Sequence, residues 1–272
     1  MRNFLLLSAI FLCNYSFAQL YGYKYNNIEP AKIAVTYEIR YQQDSTNPAG
    51  IRKTKMLLFL ANNTSKFVSR DGFINDTTMR SFTSNEQTIK FLQDPQYPKV
   101  SIQYQIYKNF PAGKITFTDH IPSNAYKFEE KLDLFTWILT NDTSTLNGYK
   151  VQKATCEFGG RSWIAWFAPA LPYSDGPYKF NGLPGLIVKI HDIRNHYVFE
   201  FLNIEKLDPE VMIDMKATDY IVTTKQGFFK AQDYFREDII NRAKEAGMDN
   251  NSQQVAAKNM ALRNNPIELI RK

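Results

Sequence analysis

The stretch Gly148-Tyr149-Lys150-Val151-Gln152-Lys153-Ala154-Thr155-Cys156-Glu157-Phe158-Gly159-Gly160-Arg161-Ser162-Trp163-Ile164-Ala165-Trp166-Phe167 decides the fold class. Two arms of strand length flank a Gly-Gly pair, and glycine supplies the positive φ angles that a two-residue hairpin turn requires. A side-chain period of two puts Arg161, Trp163, Ala165 and Phe167 on one face, with Trp166 on the other. This segment predicts an antiparallel hairpin. Downstream, Leu186 to His191 reads as a strand, Asp192 to Asn195 as a turn, and Tyr197 to Leu202 as the return.

The same signature extends upstream. Ile33, Val35, Tyr37, Ile39 and Tyr41 alternate with Thr36, Glu38 and Arg40, as in a strand with one buried face. Met56–Leu60 and Lys66–Ser69 form a strand pair across the polar turn Asn62-Asn63-Thr64. Val100, Ile102, Tyr104 and Ile106 predict a further strand, turning at Phe110-Pro111-Ala112-Gly113 into Ile115 and Phe117. Near Gln226 the period changes: Phe228, Ala231, Phe235, Ile239 and Ala243 recur at helical spacing, and Gly247 stops the helix. A weaker helical pattern runs from Ser252 to Arg263, behind a polar stretch, Asp249–Gln254, that reads as a flexible linker. Nothing in Pro266–Ile270 says whether it docks.

At the N-terminus, Arg2 precedes an apolar run of nine residues, Phe4 to Leu12, followed by small residues at Ser16 and Ala18. That three-part pattern predicts a cleavable export signal, cut after Ala18, and the run is too short to span a bilayer. Leu12 before Cys13 does not suit lipoprotein processing. Loss of Cys13 with the signal leaves Cys156 alone, so no intramolecular disulfide is expected. The expected organisation is residues 1–18 as signal, 19–248 as one β-rich domain with a C-terminal helix, and 249–272 as a polar tail. A 44% hydrophobic composition with 20 Phe and 16 Tyr is enough for a large core. The +6 net charge is scattered, which argues against a nucleic-acid footprint. No later segment has spanning length, so no transmembrane segment is expected after cleavage.

Residues 182–187, Gly-Leu-Pro-Gly-Leu-Ile, together with Gly148–Ala154, Gly160–Trp166 and Gly176–Phe180 in order and spacing, resemble the GLPGLI family. The strong part of the match covers about a fifth of the chain, and the double glycine at 159–160 leaves the turn type open. The resemblance implies an exported Bacteroidota protein, of a family without an assigned biochemical activity. It also implies a strand order similar to the open half-barrels of periplasmic lipoprotein carriers. The expected fold is therefore α+β: a strongly curved antiparallel sheet with a C-terminal helix on or in its concave side.

Arg161 beside Trp163 on an apolar face needs a carboxylate or carbonyls, and Asp175 is the expected partner. Two readings stand: a structural Arg–Asp clamp, or a ligand site in which Arg161 holds an anionic head group. Gly182, Pro184 and Gly185 give a rigid kink that either sets strand register or lets a ligand approach the backbone. The candidate ligand-binding residues are thus Arg161, Trp163, Asp175, Gly182, Pro184 and Gly185. His191 and His196 flank one turn but are too few for zinc. Glu129 and Glu130 point to opposite faces of a strand and cannot share a substrate. No nucleophile elbow, phosphate loop or dinucleotide fingerprint is present, so neither a catalytic residue nor a cofactor is assigned. The expected role is a periplasmic or outer-membrane-associated binding module for an apolar or lipidic ligand; the alternative is an accessory partner of an outer-membrane complex.

Overall fold

A computed structural model describes residues 24–122 and 124–270; the expected export signal and its cleavage point lie outside the described residues. Among the described residues twelve strands form one open sheet. The first meander comprises β1 (Tyr25–Gln42), β2 (Ile51–Leu60), β3 (Ser65–Ser69), β4 (Gln105–Lys108), β5 (Lys114–Ile121) and β6 (Asn124–Lys131). The second comprises β7 (Ile138–Leu146), β8 (Tyr149–Phe158), β9 (Arg161–Ala168), β10 (Leu186–Asp192) and β11 (Tyr197–Lys216). Within each meander consecutive strands pair antiparallel, and β1 pairs with β11 to join the two. The short β12 (Ile221–Val222) adds to β6 in parallel at the far edge. The fold is a large, mostly antiparallel, unclosed sheet with several helices, as the α+β reading anticipates.

The seam between β1 and β11 carries three register shifts, which bend and twist it. Beyond them the distal half of β11 folds over the outer face of the first meander. Lys66 on β3 there donates to the Asp214 carbonyl at 2.8 Å, and Arg80 reaches the Asp214 carboxylate at 2.5 Å. Both faces of β2 and β3 are therefore covered. Val35, Tyr37, Ile39, Met56, Leu58 and Phe67 enter the main core, while Ala34, Leu57, Phe59, Val68, Ile213 and Met215 form a second cluster on the opposite face. The predicted hairpin at Gly159-Gly160 is present, with φ of 59° and 78° at the two glycines.

Several local expectations change. Two helices, α1 (Arg70–Arg80) and α2 (Asn85–Leu92), occupy a region given no element from sequence. The second starts with a Ser84/Gln87 capping box, a pattern readable in the chain. Val100 to Tyr104 is not strand; β4 begins only at Gln105. The long C-terminal helix is broken at Asp238 into α3 (Lys225–Glu237) and α4 (Ile239–Glu245). The expected linker at Asp249–Gln254 instead starts α5 (Asn250–Ala261), because the Asp249 carboxylate accepts from the Ser252 N–H and caps it. Phe228 of α3 is buried against Phe117 of β5 and Phe128 of β6, which seats the helix on the inner face of the sheet.

Candidate functional site

The residues after α5 form a strap, 264–270, that crosses the inner end of the β8–β9 hairpin. Arg161 holds it. Its Nε donates to the Ile267 carbonyl (2.9 Å), and Nη2 donates to the Asn265 Oδ1 and the Pro266 carbonyl, both at 2.7 Å. Nη1 donates to Asp192 (3.0 Å) and lies 3.5 Å from His196 Nδ1. A guanidinium has five N–H donors, and four of them are taken by these oxygens, with the fifth facing the His196 ring. The expected partner, Asp175, is not among them: Asp192, on the neighbouring β10 and in register with Trp163, reaches Arg161 diagonally, whereas Asp175 lies in a loop that another cation claims. Gly159 and Gly160 complete the dock. The Leu269 N–H donates to the Gly159 carbonyl at 2.6 Å, and a Cβ on either glycine would press into Glu268 or Ile270 at about 3.0 and 2.8 Å.

Glu268, 1% exposed, enters the core from the strap. Lys179 Nζ (2.7 Å), Lys225 Nζ (2.5 Å) and the Tyr178 hydroxyl (2.6 Å) all reach its carboxylate. Glu130 bridges the same two lysines from β6. Burial alone would raise the Glu268 pKa, yet the two lysines hold it below the ordinary value. The Lys179 ammonium lies 5.2 to 5.5 Å from the ring centres of Phe117, Phe128 and Tyr178, so aromatic faces complete its surroundings.

The loop between β9 and β10 is fixed separately. Buried Lys108 pairs with Asp175 and donates to the Gly176 carbonyl at 2.6 Å. Gly182 has φ +91° and Gly185 φ +149°, and a Cβ on Gly185 would stand 2.3 Å from the Ala168 carbonyl oxygen. The kink at Gly182-Leu183-Pro184-Gly185 is thus a close backbone crossing at the start of β10. Leu183 is buried and Pro184 exposed. Trp163 is fully buried, its Nε1 donating to the Phe158 carbonyl at 3.1 Å and its ring edge-on to Phe180.

A cleft of about 190 Å³ opens between the inner sheet face, α3 and the strap. Tyr41, Tyr104, Phe117, Tyr178, Tyr197 and Phe228 wall it, and Asp119 of β5 faces into it. None of Trp163, Asp175, Gly182, Pro184 or Gly185 lines this cleft; Arg161 borders a separate polar cavity of about 350 Å³ beside Asp192 and His196. Sequence reasoning missed Asp119. Its trace was the alternation Ile115, Phe117, Asp119, Ile121, in which one carboxylate takes an inward place on an apolar strand. Asp119 keeps some solvent contact through the cleft mouth, but burial pushes its carboxyl up to about 7, opposed only by the His120 N–H.

Cys156 is buried, and burial pushes its thiol up to about 12, a structural rather than a reactive setting. Among the described residues no three His, Cys, Asp or Glu side chains gather as a metal site.

Comparison with known proteins attaches a label to the hairpin and loop. A family profile described as "Protein of unknown function (Porph_ging)" matches residues 160–189, the segment holding Arg161 and the Gly182–Ile187 corner. No curated protein matches the chain significantly. Two crystal forms of PNGF-II each share 14% identity with it at a TM-score of 0.46, covering 71% of this chain and 31% of theirs. The chain thus spans under a third of those structures. At that score the likeness bears on neither fold nor activity. This chain is similar over residues 160–189 to a family of unknown function, and no enzymatic family is indicated.

Proposed function

We propose that this chain is an exported, non-enzymatic binding module, an open half-barrel of the periplasmic carrier type, whose ligand is a small apolar molecule or the end of a lipid chain. The cleft carries this reading. Seven aromatic side chains converge on a space of about 190 Å³ bounded by the sheet, a helix and the strap. Ligand sites are concave and largely apolar with a few convergent polar groups, and this one lies below the usual drug-sized range. A whole lipid is therefore not the expected occupant. Arg161 does not take part, since the strap uses its donors.

Native mass spectrometry of protein purified from the envelope is expected to show a stoichiometric apolar species that organic extraction removes. A ligand-free protein that also fails to take up an apolar fluorescent probe overturns the reading. Export is checked by sequencing the mature N-terminus, expected to begin at Gln19; a mature protein retaining Met1 overturns it.

A second reading, an accessory partner of an outer-membrane complex, is supported by the two sheet edges. Ile138 and Leu139 on β7 are 64% and 52% exposed, and Val222 on β12 is 71% exposed. Apolar side chains on unpaired edges favour strand addition by another chain. Pull-down from envelope extract that enriches nothing beyond an unrelated exported control removes this alternative.

A further inference from the structure

We infer that the cleft selects an organic cation, a small amine or quaternary ammonium on an apolar body, with the Asp119 carboxylate as its counter-charge. The inference rests on the cleft reading above and adds the charge of the ligand. It starts from a contrast among the enclosed carboxylates. Asp192 is paired with Arg161 at 3.0 Å, Glu268 with Lys179 at 2.7 Å, Asp214 with Lys66 at 3.2 Å, and Asp175 with Lys108. Asp119 shares the inner face of β5 with Ile115, Phe117 and Ile121, yet no Lys or Arg among the described residues forms an ion pair with it. Its one hydrogen bond is from the adjacent His120 N–H at 2.8 Å. An enclosed carboxylate without a counter-charge is costly, and a fold that neutralises these four has left this one for something else.

The walls favour the same ligand class. Tyr104 and Phe117 rings lie 5.5 Å apart, and Phe228 stands 5.7 Å from Phe117. Aromatic faces attract cations through the ring quadrupole, most strongly where water is excluded. The protein already uses this chemistry next door, where the Lys179 ammonium sits 5.2 Å from the centre of the Phe117 ring. The other charges around the cleft leave the Asp119 charge in place. Glu268 is held by Lys179 and Lys225; Arg236 lies 3.5 Å from Asp233; Arg263 is exposed to screening solvent; and burial with Lys216 keeps His120 low, hence neutral.

The test is calorimetric titration of the full chain with phenethylamine and with phenylethanol, which have similar size and differ in charge, at a pH above the Asp119 titration. The amine is expected to bind roughly tenfold tighter or better, and Asp119→Asn to erase that preference while retaining the alcohol. In the wild-type protein the preference is also expected to fade on acidification, a readout that needs no variant to fold. Equal affinity for the two compounds, or a preference that survives Asp119→Asn, overturns the cation inference and leaves the cleft as a binding site. Binding of neither compound overturns both.

Discussion

Arg161 and Asp119 occupy equivalent places in the two meanders: each is a charge on the inward face of an otherwise apolar strand. Their surroundings differ. Arg161 is closed off, with strap carbonyls, Asn265 and Asp192 consuming its donors. Asp119 opens on a cleft and has only a neighbouring backbone N–H. A buried charge with a full set of partners is architecture, because removing either side leaves an uncompensated group. A buried charge that the fold leaves uncompensated raises its own pKa, and such groups concentrate at functional sites.

The strongest way to break the comparison is Arg161→Ala. It strands Asp192, 1% exposed, and releases the strap, so a loss of roughly 3 kcal/mol is expected. Thermal melting checks it; an unchanged midpoint would show that the strap is not anchored there. Gly185→Ala comes next, at about 2 kcal/mol, because its Cβ would collide with the Ala168 carbonyl in a positive-φ conformation. Gly182→Ala is expected to cost less, since its Cβ meets nothing nearer than Trp137 Nε1 at 3.8 Å, and equal losses would refute the close-crossing account.

Glu268→Gln follows, at roughly 1.5 kcal/mol, because Glu130 still serves both lysines. Its pH signature has a definite sign. A carboxyl held below its ordinary value contributes stability that is present above that value and lost as pH falls through the depressed one. Melting curves of wild type and variant should therefore converge at acid pH.

Asp119→Asn is the smallest and has the opposite sign. A carboxyl raised from 3.8 to about 7 favours the folded state while protonated, so its contribution is lost as pH rises between those values. The variant is expected to melt at or above the wild-type temperature at alkaline pH, and a marked loss there would make Asp119 structural. The ordering Arg161→Ala worst and Asp119→Asn neutral or stabilising distinguishes clamp from site.

The hairpins were legible because their causes are local. Period-two alternation shows in Val35, Tyr37, Ile39 and Tyr41, the Gly159-Gly160 turn announces itself, and the Gly182–Gly185 kink follows from glycine and proline backbone limits. Even the inward positions of Arg161 and Asp119 could be read from register. What no window of sequence contains is which distant groups meet. The pairing of β1 with β11 and the docking of residues 264–270 under Arg161 join segments more than 100 residues apart, and the Asp175 assignment failed because Asp192 on the next strand takes Arg161 while Lys108, 67 residues away, claims Asp175. Alternation states which face a charge takes; only the packed chain decides whether that face brings a partner or leaves a space.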